Sequence, residues 1–264
     1  MSRIKSMLLR ILGEKRYLRT LCSSFQRFLR LGWLNKSFYR DVYFLKEYIR
    51  PGDVCIDIGA HLGYYSFELC RLSGAGGAVY AVEPISKFNG VIERYMDRHT
   101  FPTLHLLKVA LGGEGATVDM GIPRVGVLKR FAYAKIIEQT DTFDFVETER
   151  VRNEDPNLLF GDLPRIDFIK CDVEGFEVRL FSIMLPTVRK FRPMIVCELL
   201  NVVDRADLAR MLEPMGYACY VLDKGQWEKI DAYGPTTYFP HNYYFLTPEH
   251  IQAHIALVAV SPRG

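Results

Sequence analysis

Apolar positions in the first thirty residues recur at helical spacing: Ile4, Met7, Leu8, Ile11, Leu12, Leu18, Leu21, Cys22, Phe25, Phe28 and Leu29, with arginine and lysine on the other side. This pattern predicts a basic amphipathic helix over 3–31, kinked at Gly13 and ended by Gly32. A second helix over 37–49 turns Phe38, Val42, Leu45, Tyr48 and Ile49 inward and stops at Arg50-Pro51-Gly52. Beyond it, short apolar runs alternate with helical patterns. Strands are expected at 54–58, 78–82, 104–109, 166–171, 194–198, 217–222 and 242–246, and helices at 64–72, 86–98, 176–190 and 205–214. The alternation predicts an α/β fold built on a doubly wound, mostly parallel seven-stranded sheet. No helical pattern separates the last two strands, so they should form an antiparallel C-terminal hairpin. Residues 112–165 break the rhythm and read as an irregular connection with a turn at Gly112–Gly115 and a short edge strand at 117–120. So long a connection is usually functional and should lie beside the carboxyl ends of the strands. The chain divides into an N-terminal helical extension, 1–50, and one domain, 51–264.

Charge sharpens the first element. The net charge is +3, but ten Lys/Arg against Glu14 alone make residues 1–40 +9 and leave −6 for the rest. A basic amphipathic helix suits an anionic membrane surface or an acidic partner, and it equally suits packing on the domain with its charges solvated. Cys22, Cys55, Cys70, Cys171, Cys197 and Cys219 are widely spaced and fall mostly in apolar runs, so they read as buried thiols of a reducing compartment. No apolar run approaches the roughly 18 residues of a membrane span, and no secretory pattern opens the chain. A cytoplasmic protein is expected, with peripheral contact to the inner face of a membrane through 3–31 as the open alternative.

The candidate chemistry starts at Gly52-Asp-Val-Cys-Ile-Asp57-Ile-Gly59-Ala60-His61-Leu-Gly63, a strand that turns at glycine into a helix. It lacks both the G-x-G-x-x-G of a dinucleotide turn and the Gly-Lys-Ser/Thr of a phosphate loop. Its D-x-G-x-x-x-G spacing resembles the Rossmann-like class I methyltransferases, in which this turn wraps the methionine end of S-adenosyl-L-methionine. Gly59 would allow close backbone approach and Gly63 close packing of helix on sheet; His61 tolerates positive φ and shapes the turn. The next strand ends in Glu83-Pro84, where a carboxylate suits ribose hydroxyls. Asp57, Gly59, Ala60, His61, Gly63 and Glu83 are the candidate donor-binding residues. A second cluster, Lys170-Cys-Asp172-Val-Glu174-Gly-Phe-Glu177, puts Lys170 and Asp172 on one strand face, with Glu177 on a solvated helix face in the plainer reading. Lys170 would hold Asp172 ionised and aimed into the cleft.

Three segments together resemble the FkbM family of S-adenosylmethionine-dependent methyltransferases: Asp57–Ser66, Val82-Glu83-Pro84 and Ile169–Glu177, continued by Arg192–Glu198. The resemblance covers roughly 51–247 and departs from the family at His61, where asparagine is frequent. It implies S-adenosyl-L-methionine as co-substrate and O-methylation of a hydroxyl on a sugar, glycan, glycolipid or natural product, so a carbohydrate acceptor is the expected partner. For such a reaction Asp172 is the first candidate base and Glu174 the second, with Lys170 fixing the carboxylate and Glu198 orienting the acceptor. Asp172, Glu174 and Glu198 could also hold Mg²⁺ through oxygen, but a metal is not the favoured reading. His250 and His254 lack a third zinc ligand. Tyr233, Tyr238, Phe239, Tyr243, Tyr244 and Phe245 offer rings for a sugar, or the core side of the last strand. The rivals are an RNA methyltransferase using the basic N-terminus and a non-catalytic membrane-associated scaffold. The net-acidic domain argues against nucleic acid, and the intact glycines and acids argue against a degenerate site.

Overall fold

The computed structural model describes residues 2–36, 38–125, 128–138, 141–235, 238, 241–254 and 257. In chain order the elements are α1 (Ser2–Leu12), α2 (Glu14–Arg30), α3 (Arg40–Tyr48), β1 (Val54–Ile58), α4 (Tyr64–Ser73), β2 (Ala78–Val82), α5 (Ser86–Met96) and β3 (Leu104–Leu107). They continue with β4 (Ala110–Leu111), β5 (Thr117–Val125), β6 (Leu128–Lys129), β7 (Lys135–Ile136), β8 (Asp144–Glu154), α6 (Pro156–Phe160), β9 (Phe168–Cys171) and α7 (Glu177–Phe191). The last are β10 (Met194–Glu198), α8 (Val202–Leu212), β11 (Ala218–Asp223), β12 (Gln226–Lys229), β13 (Asn242–Leu246) and α9 (Pro248–Ala253).

The main sheet runs β12-β11-β13-β10-β9-β1-β2-β3, parallel from β10 to β3, with β13 antiparallel to both β10 and β11. The doubly wound sheet and the antiparallel pairing of the last two predicted strands are both present. Among the described residues it has eight strands, not seven, because the chain turns at Lys224-Gly225 and adds β12 to the edge. Trp227 on that short strand is wholly buried, which anchors an edge whose other residues are exposed. β1 is buried along its whole length, as a central parallel strand covered on both faces must be. Strand order reverses between β1 and β9, and at such a switch point the carboxyl ends of the strands leave a crevice.

The described residues of 112–165 are not an irregular connection. β5 and β8 pair antiparallel over most of their length, with β6 and β7 beside β5 and β4 beside β8, to make a second sheet. The pairing was hidden in sequence by Gly121 and Pro123 within β5. Pro123 follows a register shift, where a missing N–H is tolerated. Gly121 makes room, since a Cβ there would stand 2.4 Å from the Phe145 ring. Cross-strand charge pairs, Asp119 with Arg150 and Arg124 with Asp144, replace the usual apolar alternation on the exposed side.

The single helix expected over 3–31 is two helices, broken at Gly13, whose φ of +69° no continuous helix accommodates. α2 buries Tyr17, Leu18, Cys22, Phe25 and Leu29 in the same core as α3, α4 and α5. Asp41 on α3 is buried too; it accepts hydrogen bonds from Tyr244 Oη (2.7 Å) and Asn242 Nδ2 (3.2 Å), tying α3 to β13. Pro186 interrupts the ladder of α7. Asn157 on α6 repairs the gap, donating to the Ile183 carbonyl (2.8 Å) and accepting from Thr187 Oγ1 (2.7 Å). All six cysteines are buried and free. Among the described residues, no helix is long and apolar enough to cross a membrane.

Candidate active site

The crevice at the switch point is a cavity of about 400 Å³, within the range of small-ligand sites. Its floor is formed by the carboxyl ends of β1, β2, β9 and β10, which bring Asp57, Gly59–His61, Glu83, Lys170, Asp172, Glu174 and Glu198 together. Its walls come from elsewhere in the chain: Tyr17, Leu18 and Leu21 of α2, Tyr64 and Tyr65 of α4, Phe88 of α5, and Lys129–Ala134 from the second sheet. Glu14 at the start of α2 and Glu147 of β8 both pair with Lys87 and Lys129, which pins the helix and the second sheet over the opening.

The β1–α4 turn follows from its residue types. Gly59, His61 and Gly63 have φ of +81°, +51° and +77°. A Cβ on Gly59 would stand 1.8 Å from the Asp172 carbonyl oxygen, so only glycine lets this turn lie against the end of β9. Gly63 serves as the left-handed N-cap of α4, with the Phe67 ring against it. The N–H groups of Gly59 and Ala60 both donate to the Val82 carbonyl (3.0 Å each), fixing the turn to β2. Asp57 is buried, accepts a hydrogen bond from Ser66 Oγ, and has a pKa pushed up to about 6 by burial, against Ser66 and Lys170.

Glu83 is also buried. One carboxyl oxygen accepts the His61 N–H and the other the Ile85 N–H, both at 2.8 Å. Burial pushes its pKa up to about 8 despite these bonds. In the ionised form each oxygen keeps a further lone pair for a ligand hydroxyl. The His61 ring meets Phe88 edge-on at 4.4 Å, and its Nε2 is buried without a partner. Burial lowers its pKa to about 4, against the pull of Asp172, so the ring is neutral at physiological pH.

At the end of β9, Lys170 Nζ lies 3.7 Å from Asp172 Oδ2 and donates to the Cys171 carbonyl (3.1 Å). Burial opposes its charge, but Asp172 and Glu198 outweigh it and raise the pKa. Glu174 has φ +56° and a pKa pushed up to about 9, first by burial and then by Asp172. Glu198, beside Asp172, rises to about 8 for the same two reasons. Glu177 is not on a solvated face. It is buried and accepts the N–H groups of Val173 and Gly175 (2.9 Å each), clamping the Asp172–Gly175 turn. Burial raises it to about 7.

Other sequence candidates lie elsewhere. Tyr243, Tyr244 and Phe245 are core residues, Tyr233 is exposed and bonded to Glu213, and Tyr238 donates to the Leu222 carbonyl. Phe239 lies outside the described residues. From β13 it is Asn242 that reaches the cavity, adjacent to Glu198 in register, with Oδ1 buried and unpartnered. His250 Nδ1 accepts the Thr247 N–H as part of the cap of α9, and His254 Nδ1 faces Arg50. Among the described residues, no group of three or more His, Cys, Asp or Glu side chains is placed to hold a metal. The cavity residues missed in sequence, above all Tyr65, Phe88 and Asn242, carry no local signal, because ordinary core residues occupy the same helical and strand positions.

A doubly wound sheet in the order found here, with glycine turn, acidic strand tip and acid-lined crevice at its switch point, defines the class I methyltransferase fold. The methyltransferase FkbM domain model matches residues 57–219, and the chain belongs to that family, one of S-adenosylmethionine-dependent methyltransferases. A search of curated proteins finds no match. Among solved structures, the chain is similar to an FkbM methyltransferase from Methylobacillus flagellatus at 16% identity and TM-score 0.46, covering 74% of this chain and 44% of that one. It is also similar to a SAM-dependent O-methyltransferase from Thermotoga maritima (10%, TM-score 0.42, covering 79% and 64%). A third is a fibrillarin from Aeropyrum pernix with natively bound S-adenosyl-L-methionine (10%, TM-score 0.43, covering 78% and 72%). The chain thus spans less than half the length of the Methylobacillus protein.

Proposed function

We propose that this protein transfers a methyl group from S-adenosyl-L-methionine to a hydroxyl of a carbohydrate-bearing acceptor: a sugar, glycan, glycolipid or natural product. The observation that carries the reading is Asp172, paired with Lys170 and held against the Gly59 turn in the cavity that also contains Glu83. The residues fit the donor. Glu83 has free lone pairs for ribose hydroxyls, Ile85 and Phe88 give an apolar wall for a base, and the turn at Gly59–Gly63 with Asp57 suits the amino-acid end. When bound, the donor supplies an activated methyl group on sulfur.

The chain's own residues then have distinct tasks. Glu174 and Glu198, with pKa values near 9 and 8, carry protons at neutral pH and act as hydrogen-bond donors toward the acceptor. Asp172 takes the hydroxyl proton as the oxygen–carbon bond forms and the carbon–sulfur bond breaks. Lys170 holds the Asp172 carboxylate in place, and Glu177 holds the turn that carries it. The glycine turn and Asp172 serve alignment of oxygen, methyl and sulfur, where most of the acceleration arises.

The test is transfer of tritiated methyl to cell extracts resolved into glycan, lipid, RNA and protein. Alkali-stable label in glycan or lipid is expected, and label confined to RNA or protein would overturn the reading. Asp172→Asn should retain donor affinity by calorimetry while turnover drops roughly 10²–10⁴-fold. Undiminished turnover would remove Asp172 as the base. Absence of donor binding in the wild type would instead favour a non-catalytic scaffold.

A further inference from the structure

The outer side of the N-terminal helices takes no part in the cavity or in the core. On α2, Arg16, Arg19, Arg27 and Arg30 lie along one face, opposite the buried Tyr17, Leu18, Phe25 and Leu29. At helical rise that row is about 20 Å long. These four arginines, with Arg10 and Lys15, are exposed, and none of the six takes part in an ion pair among the described residues. The reason is structural: Glu14, the lone acid of residues 1–40, is turned inward to Lys87 and Lys129. Large apolar side chains stand exposed beyond both ends of α2, with the Trp33 ring stacked on Phe28. Ile11 is 70% exposed near the end of α1, and Trp33 is 66% exposed just past α2, with Met7 and Leu31 also more than half exposed. A cationic helix face flanked along the chain by exposed apolar side chains is the composition of an interfacial amphipathic segment.

We propose that this surface docks on an anionic lipid membrane, the α2 arginines on the headgroups and Ile11 and Trp33 entering the interface. Charge complementarity selects the occupant. Cations without an ion pair among the described residues attract a negative surface, while exposed aliphatic and indole groups gain from the acyl boundary and nothing from phosphate alone. That combination favours lipid over RNA, which would read the charges but not the aliphatic side chains. The opposite side of the same helix, at Tyr17, Leu18 and Leu21, lines the cavity. Docking therefore brings the cavity within one helix diameter, about 10 Å, of the headgroups. The inference concerns binding only and stands whether or not the methyl-transfer reading holds.

The test is cosedimentation of the full chain with sucrose-loaded vesicles of phosphatidylcholine alone and of phosphatidylcholine mixed with phosphatidylglycerol. Binding to the anionic vesicles alone is expected, weakened as salt rises from about 0.1 M to 1 M and the screening length contracts. Arg16→Gln with Arg19→Gln and Arg27→Gln should lower affinity about 100-fold, near fivefold per charge. Ile11→Ser with Trp33→Ser should lower it about tenfold or more. All five positions are exposed and outside the cavity, so thermal stability and donor affinity should match the wild type; both are measured on the same samples. Equal binding to neutral vesicles, or none to anionic ones, overturns the proposal. So does a dimer in sedimentation velocity that Ile11→Ser/Trp33→Ser dissociates, which would assign the face to a second copy.

Discussion

Glu83→Ala isolates the donor side of the site. The wild-type carboxylate is buried, and each oxygen accepts one backbone N–H at 2.8 Å. Ribose hydroxyls would add bonds to the remaining lone pairs. A hydrogen bond to a charged group is worth roughly 1.5–3 kcal/mol, so at pH 9, where Glu83 is ionised, Glu83→Ala should weaken S-adenosyl-L-methionine binding about 10- to 150-fold. The substitution also strands the N–H groups of His61 and Ile85, so the apo variant should melt lower than wild type. Glu83→Gln separates the two effects. Its amide oxygen still accepts one of those N–H groups while its NH₂ opposes the other, and it cannot ionise. The pH dependence gives a second readout. Burial holds the Glu83 pKa near 8, so at pH 7 the free protein keeps that proton. Donated hydroxyls favour the ionised form, so binding at pH 7 releases protons and affinity rises toward pH 9. Calorimetry in buffers of different ionisation enthalpy measures that release, and Glu83→Gln should show less of it than wild type. A folded Glu83→Ala protein with wild-type affinity would refute the reasoning, as would equal proton release by wild type and Glu83→Gln.

Three further outcomes are expected. Gly59→Ala should destabilise by roughly 2–5 kcal/mol in urea titration, because left-handed φ and contact with the Asp172 carbonyl both oppose a Cβ. Asp41→Ala should cost roughly 2–5 kcal/mol in the same measurement, since Tyr244 Oη and Asn242 Nδ2 are left buried without that acceptor. The melting temperature of the apo protein should fall from pH 7 to pH 9. Unfolded carboxyls are already ionised at pH 7 while Glu83, Glu174 and Glu198 still hold protons in the native state, so the folded form binds more protons and loses stability as pH rises through about 8–9. Glu174→Gln with Glu198→Gln should flatten that slope; an unchanged slope would remove those two groups as its source.

The alternation of strands and helices was legible in the chain because the central strands are buried on both faces and their helices on one, which stamps the apolar spacing directly on the residues. The glycine turn was legible for a related reason: positive φ and close approach restrict residue type locally, at Gly59, His61 and Gly63. Lys170 and Asp172 were placed on one side by strand alternation, and they lie 3.7 Å apart. The second sheet was not legible, since its pairing is maintained by cross-strand charges and by a glycine and a proline placed for packing with distant partners. Nor was the inward turn of Glu177 or of Glu14, because the groups they meet are fixed by folding and not by sequence neighbourhood. The cavity walls at Tyr17, Phe88 and Asn242 come from three separate parts of the chain. Local spacing determined the elements and the turn; only the tertiary structure decided which side chains close over it, because proximity across the sheet leaves no period in the sequence.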